Sequence, residues 1–453
     1  MSETAVVVGG GISGLVAAYK LALAGKQVTL FEASGELGGL IKPLKIAGIT
    51  VDAGAEAFST VRPDTFKIIE ALGLHEQLAT PAAAEARILS NGRAYKIPQG
   101  MFGIPSDLTS HAVIDAIGES AAAEARRLDA QPWNLSKPTT VAELVSTRMG
   151  DAVLEQLVTP VIAGVHASQP ALLGIEAVAP GLFALAENLG SLAKAVAQLR
   201  GSSAKPGAAV ASLRGGMHGL VTSLTNFLTL TGVRVVKNAP VQSVEFTDGV
   251  YSIQAEGQAP VSANYLVMAT PPGVTAQILN NFHELSECLA TIQAVDVALA
   301  VLHIEDEKLN TAPFGSGVLV APSETSVVAK ASTHVSAKWQ WVKAQLPADH
   351  HIVRLSYGRD GVVPPVDHTL VRTARIDASM LYGISLSSIK SVELVSWPQS
   401  LIQPRRNHDK LVAEIARAQA RYPKLALVGS GLGGNGITGI LAKVSSQLEQ
   451  IGN

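Results

Sequence analysis

The sequence predicts an α/β protein built around a Rossmann-like dinucleotide-binding domain, and three observations carry that expectation. A β-branched run, Val6-Val7-Val8, feeds the turn Gly9-Gly10-Gly11-Ile12-Ser13-Gly14. Leu15, Ala18 and Leu21 then recur at helical spacing, and Val28-Thr29-Leu30-Phe31 reads as a second strand closed by Glu32. Near the other end, Leu425-Ala426-Leu427-Val428 leads into Gly429-Ser430-Gly431-Leu432-Gly433-Gly434-Asn435-Gly436 and a helical run from about 437 to 448.

Each piece of the first unit has a physical reason. Gly9 permits the sharp turn, Gly11 keeps a Cβ out of the space a pyrophosphate needs, and Gly14 lets the helix pack close to the strand. The helix start offers free N–H groups and a positive dipole to phosphates. Glu32 follows Gly14 at the distance expected of an acid that accepts both ribose hydroxyls, which disfavours a 2′-phosphate and hence NADP. The C-terminal turn repeats the glycine spacing, but too few residues follow it for a second complete fold. The expectation is a second helix N-terminus aimed at the same cofactor, set against a turn required only for packing.

Composition narrows the rest. The 453 residues are 47% hydrophobic, 16% charged and 4% aromatic, which describes a large buried core and excludes both disorder and a small disulfide scaffold. Lysine plus arginine (35) nearly balance aspartate plus glutamate (37), so no overall field favours nucleic acid. The single cysteine, Cys288, excludes an internal disulfide and a CxxC redox pair. No metal-binding motif occurs. No basic, cleavable leader precedes the first strand, so the expected location is cytoplasmic. The greasiest stretch, 157–185, is broken by Pro160, His166, Gln169, Pro170, Glu176 and Pro180. It is read as core or pocket wall and not as a spanning helix, with peripheral membrane contact left open.

A second glycine pair follows Glu32 in Ala33-Ser34-Gly35-Glu36-Leu37-Gly38-Gly39-Leu40. Together with Val51-Asp52-Ala53-Gly54-Ala55-Glu56-Ala57-Phe58, these segments resemble the opening of the FAD-dependent amine oxidase and protoporphyrinogen oxidase superfamily. Tyr265-Leu266-Val267-Met268-Ala269-Thr270-Pro271 resembles its strand beside the cofactor, with Asn264 where an acid usually stands. Leu40 replaces the arginine that often follows the glycine pair in amine oxidases, which argues against that branch.

The branch is suggested by further segments in order. Ile97-Pro98-Gln99-Gly100-Met101-Phe102-Gly103-Ile104-Pro105, the run 158–167, Ala329-Lys330-Ala331-Ser332 with Lys338-Trp339, the run 354–359 and Trp397-Pro398 are similar to bacterial porphyrinogen oxidases, above all those acting on coproporphyrinogen III. The resemblance implies FAD as cofactor, a porphyrinogen as substrate and oxygen as acceptor, with six electrons removed in three rounds and three peroxides released. Protoporphyrinogen IX is the nearest alternative substrate. An amine oxidase, a desaturase and a non-catalytic flavin-binding protein are the other readings. Oligomeric state is left open.

The implied cofactor-binding residues are Gly9, Gly11, Ile12, Ser13, Gly14, Glu32, Ala33, Gly38, Gly39, Leu40, Gly54, Ala55, Glu56, Val241, Trp397, Gly429, Gly436 and Ile437. Carboxylates on the substrate call for cations, and the implied substrate residues are Arg62, Met101, Arg354, Arg405 and Arg406, with Arg359 as a further candidate. The flavin itself carries the chemistry. Lys330 and Lys338 are candidates for a lysine that holds water beside it. His166 and His408 are expected to be structural, and the Asn435 amide is a candidate contact to cofactor or substrate.

The organisation that follows is an FAD-binding Rossmann-like domain of glutathione-reductase/amine-oxidase type, an inserted α+β substrate domain and a helical region. The cofactor domain is expected at 1–95, 208–275 and 396–453, the substrate domain at 96–104 and 276–395, and the mostly helical domain at 105–207. Residues 201–207 read as a linker or mobile loop.

Overall fold

The computed structural model describes residues 3–82, 85–133, 135–136, 140–201 and 210–452. All but the first residue of the linker expected at 201–207 lies outside them.

The βαβ unit forms where the sequence places it. Strand Thr4–Val8, helix Ile12–Leu23 and strand Gln27–Phe31 open a five-stranded parallel sheet. Its order is 234–236, 27–31, 4–8, 265–268, 425–427, so the middle and C-terminal strands flank the first unit. Helix Ile12–Leu23 packs one face through Leu15, Val16, Ala18 and Leu21, beside helix Ile437–Gln450 with Leu441, Val444 and Leu448. Each such buried leucine contributes about 1.5–3 kcal/mol. A carbonyl explains Gly14: a Cβ there would lie 1.9 Å from the Gly9 oxygen.

Val241 belongs to another sheet of the cofactor part. It begins strand Val241–Thr247 of a separate antiparallel meander with 250–255 and 261–263, and is not in the parallel sheet. Alternating apolar residues, Val244, Tyr251 and Ile253, pack that meander onto the sheet face that carries Val6, Val8, Leu266 and Met268. Asn264 also gains a role there. Its Oδ1 accepts from Thr4 N at 3.0 Å, and its own N donates to Thr4 O, so it ties the starts of two parallel strands.

A second, seven-stranded sheet runs 389–402, 294–305, 350–357, 331–334, 317–320, 87–90, 93–96. Helix His368–Tyr382 covers it through Leu370, Ala374 and Ala378 against Ala300, Leu302 and Leu355. Two expected boundaries therefore move. Arg87–Ser90 and Arg93–Lys96 pair into this sheet, so a cut at 95/96 falls inside a strand, and one at 395/396 falls inside Ile389–Ile402. Strand pairing across distant sequence, which local patterns do not encode, decides both.

Helices from His111 to Arg200 form their own core around Leu144, Val145, Leu157, Ile162 and Leu182. The apolar stretch 157–185 is thus largely buried, while Val165 and Leu172 remain exposed. Among the described residues no helix is long and apolar enough to cross a membrane.

Candidate cofactor and substrate site

The two glycine-rich turns converge. Gly11 caps helix Ile12–Leu23 and Gly436 caps helix Ile437–Gln450, both in extended backbone. A Cβ on Gly429 would lie 3.7 Å from Ser13 Oγ, so the C-terminal turn abuts the first helix start. The second glycine pair joins them, since Gly38 N donates to Gly10 O at 2.9 Å and Gly11 bridges Gly38.

Steric space tests whether a dinucleotide fits. A Cβ on Gly9, whose φ is 105°, or on Gly14 would run into protein backbone. A Cβ on Gly11 would meet only Gly39 Cα at 3.8 Å, and one on Gly436 would meet nothing within 4 Å. The protein's own packing does not demand glycine at these two positions, and both stand at helix starts with free N–H groups. That is the cradle a pyrophosphate needs. Glu32 closes it: Oε2 accepts from Gly10 N at 2.7 Å, and Oε1 accepts from Ser34 N and Oγ at 2.8 Å. The carboxylate is held rigidly, with Ala33 exposed beside it. Asn238 N and Ala239 N donate to Ser34 O and Glu32 O, which brings the segment leading to Val241 alongside.

A third segment is stitched against the glycine pair. Ala55 N donates to Leu40 O at 3.1 Å, and a Cβ on Gly54 would meet that same oxygen at 2.1 Å. Trp397 Nε1 donates to Ala53 O at 3.0 Å, and Arg354 Nη1 to Gly54 O at 3.1 Å. Glu56 then accepts from Lys338 Nζ at 2.6 Å and pairs with Arg354 Nη2 at 3.0 Å. Burial alone would raise the Glu56 pKa, but the charges of Arg354 and Lys338 outweigh it and hold the carboxyl down at about 2. The group carries two cations and one anion. Lys338 also lines a cleft of about 370 Å³ with Gln99, Gly100 and Arg200, next to the hairpin that carries Met101.

The remaining candidates scatter. Lys330 is buried away from Lys338, its Nζ donating to Gly164 O at 2.7 Å, and burial with the Arg359 charge lowers its pKa to about 8. Arg359 bonds the Val320 and Ala329 carbonyls. Arg62 is exposed and pairs with Asp64 at 3.5 Å. Arg405 pairs its backbone with Leu173, and Arg406 forms an exposed ion pair with Glu143 at 2.9 Å. The two arginines share a separate cleft of about 520 Å³ with Thr291, Gln403 and Lys410.

The Asn435 amide is engaged within the protein. It accepts from Ile402 N at 3.2 Å and donates to Ile402 O at 2.8 Å, pinning the C-terminal loop to the end of a strand. His408 does a similar job, donating from Nε2 to Gly431 O at 2.8 Å. Both ring nitrogens of His166 are buried without a hydrogen-bond partner among the described residues. Gln403, which no sequence signal marked, donates to His166 O at 2.5 Å and links the helical part to the cofactor loop.

This fold and its nucleotide cradle define a flavin-dependent oxidoreductase. Residues 12–300 match the family of flavin containing amine oxidoreductases, and the chain belongs to that family. It is 31% identical to the coproporphyrinogen III oxidase of Mycobacterium leprae (strain TN), over 99% of this chain and 98% of the relative. It is 28% identical to the protoporphyrinogen oxidase of Homo sapiens over 72% of this chain and 71% of that one. A solved Exiguobacterium sp. 255-15 structure, provisionally named as a protoporphyrinogen oxidase, superimposes with a TM-score of 0.85 at 25% identity, covering 100% of this chain and 99% of that one.

Proposed function

We propose that this chain oxidises coproporphyrinogen III to coproporphyrin III, with FAD as cofactor and molecular oxygen as acceptor. The observation that carries the reading is the full-length likeness to relatives named coproporphyrinogen III oxidase. The glycine cradle and Glu32 support FAD, because they suit a pyrophosphate and an unphosphorylated ribose.

When bound, the flavin accepts two electrons per round, so three rounds complete the aromatic macrocycle. The rest is work for side chains and backbone. The N–H groups at Gly11 to Ser13 would hold the pyrophosphate, and Glu32 the ribose. Gly38 to Leu40 and Gly54 to Glu56, joined by the Ala55 N to Leu40 O bond, would line the cofactor along its length. The dipole of helix Ile437–Gln450 would stabilise negative charge on a reduced ring held at its start. Arg354 and Lys338, exceeding Glu56 by one charge, suit a propionate carboxylate at the cleft that Lys338 lines.

The test is aerobic turnover of flavin-loaded protein with coproporphyrinogen III and protoporphyrinogen IX in parallel, scored as porphyrin fluorescence and peroxide above autoxidation. Preference for coproporphyrinogen with about three peroxides per porphyrin supports the reading; three follows from six electrons at two per round. Preference for protoporphyrinogen moves the substrate and leaves the flavin roles standing.

A further inference from the structure

Among the described residues, His166 is the one histidine with both ring nitrogens buried and without a hydrogen-bond partner. It is 9% exposed, and neither Nδ1 nor Nε2 has a hydrogen-bond partner among the described residues. Leaving such a group unsatisfied costs stability, and native proteins keep few of them.

Its surroundings are held firmly while the ring is not. Helix Thr159–His166 ends on Ala167, a non-glycine residue at φ 49°. From the substrate sheet, Lys330 Nζ donates to Gly164 O, two residues before the ring. From the cofactor side, Gln403 Nε2 donates to the carbonyl of His166 itself. Gln403 follows Ile402, which Asn435 holds twice from the C-terminal glycine loop. Helical part, substrate sheet and cofactor loop therefore meet at this one turn. Against the ring lies Phe102 at a centroid distance of 5.8 Å, on the hairpin that carries Met101 and itself at φ 52°. A bulky residue in the left-handed region at the tip of that hairpin is strain of the kind found at ligand sites.

Resting on the porphyrinogen reading above, we infer that His166 is a substrate-positioning residue, whose unprotonated ring nitrogen accepts a hydrogen bond from a pyrrole N–H at the centre of the tetrapyrrole. A macrocycle that is apolar except at its rim and centre suits an imidazole acceptor beside the Phe102 ring, with Ser168 Oγ a second buried polar atom two residues on. Burial, and then the Lys330 charge, lower the His166 pKa to about 4, so the acceptor lone pair is present at neutral pH.

The experiment titrates flavin-loaded wild type, His166→Phe and His166→Asn with coproporphyrin III, a stable probe with central N–H groups, and follows its fluorescence. The inference expects His166→Phe to bind about tenfold more weakly, which is about 1.4 kcal/mol. Its flavin content should be unchanged and its Tm equal or higher, because an unsatisfied group has been removed. His166→Asn, which restores a carbonyl acceptor, should recover part of the affinity. Unchanged affinity in His166→Phe overturns the inference alone, as does a Tm lowered by several degrees with Asn failing to rescue binding. If wild type turns over coproporphyrinogen III but binds no coproporphyrin III, this inference falls alone; if it does neither, the porphyrinogen reading falls and this inference with it.

Discussion

Glu56 and Lys338, 282 positions apart in the chain, meet at 2.6 Å and join the loop behind the glycine pair to the substrate sheet. Arg354 completes the group from the neighbouring strand. Because Glu56 is buried, its charge depends on both cations, and each cation depends on it.

Replacing that carboxylate leaves two half-buried cations without their shared partner. Glu56→Gln should cost about 1–3 kcal/mol, less than breaking a fully buried pair because both cations reach solvent, read as a fall in denaturation midpoint. The Glu56 folded pKa of about 2 lies below its ordinary 4.5, so its stabilisation is full above 4.5 and is lost as pH falls toward 2. The variant should show a flatter stability slope across that window. An equal slope would mean that Glu56 is not the titrating group.

The two fingerprint glycines should fail in different ways. Gly11→Val places its side chain in open space and should leave a folded protein that purifies without its yellow flavin. Gly14→Ala drives a Cβ to 1.9 Å from the Gly9 oxygen and should lose folded yield outright. Retention of full flavin absorbance by soluble Gly11→Val would remove the pyrophosphate assignment.

A buried histidine pair sets a second acid limit. His334 Nε2 and His351 Nδ1 share a hydrogen bond of 3.1 Å across adjacent strands. Burial lowers their pKa values to about 3 and about 4, with the neighbouring charge of His351 on His334 and of Lys343 on His351 adding to it. The unfolded chain binds protons first, so stability is full above about 6.5 and falls as pH drops toward 4. His351→Phe should flatten the Tm profile between pH 6.5 and 4. A profile parallel to wild type would place the titration elsewhere.

Asn435→Leu removes both bonds to Ile402 and should destabilise the protein by about 1–3 kcal/mol, the cost of leaving buried backbone groups unpaired. The C-terminal loop should loosen with it. Faster amide exchange at residues 430–436 in the variant is the check, and an unchanged exchange rate would refute the pinning role.

Much of the cofactor cradle was legible in the sequence because it is made of contiguous residues. A strand, a glycine turn, a helix and an acid lie within the first 32 positions, and their backbone needs are local: Gly9 for a positive φ, Gly14 for close packing, Glu32 at a strand tip. The C-terminal turn was legible for the same reason. The tertiary structure alone decided what distant segments do to one another. It set Val241 in an antiparallel meander and drew residues 87–96 into the substrate sheet, because strand partners are chosen by burial across the whole chain. It bound the Asn435 amide to a strand end. Among the candidate cations it sorted Arg354 and Lys338, gathered on Glu56, from Arg62 and Arg406, which pair at the surface. A side chain's charge is written in the sequence, whereas its partner and its distance from water depend on the packed fold.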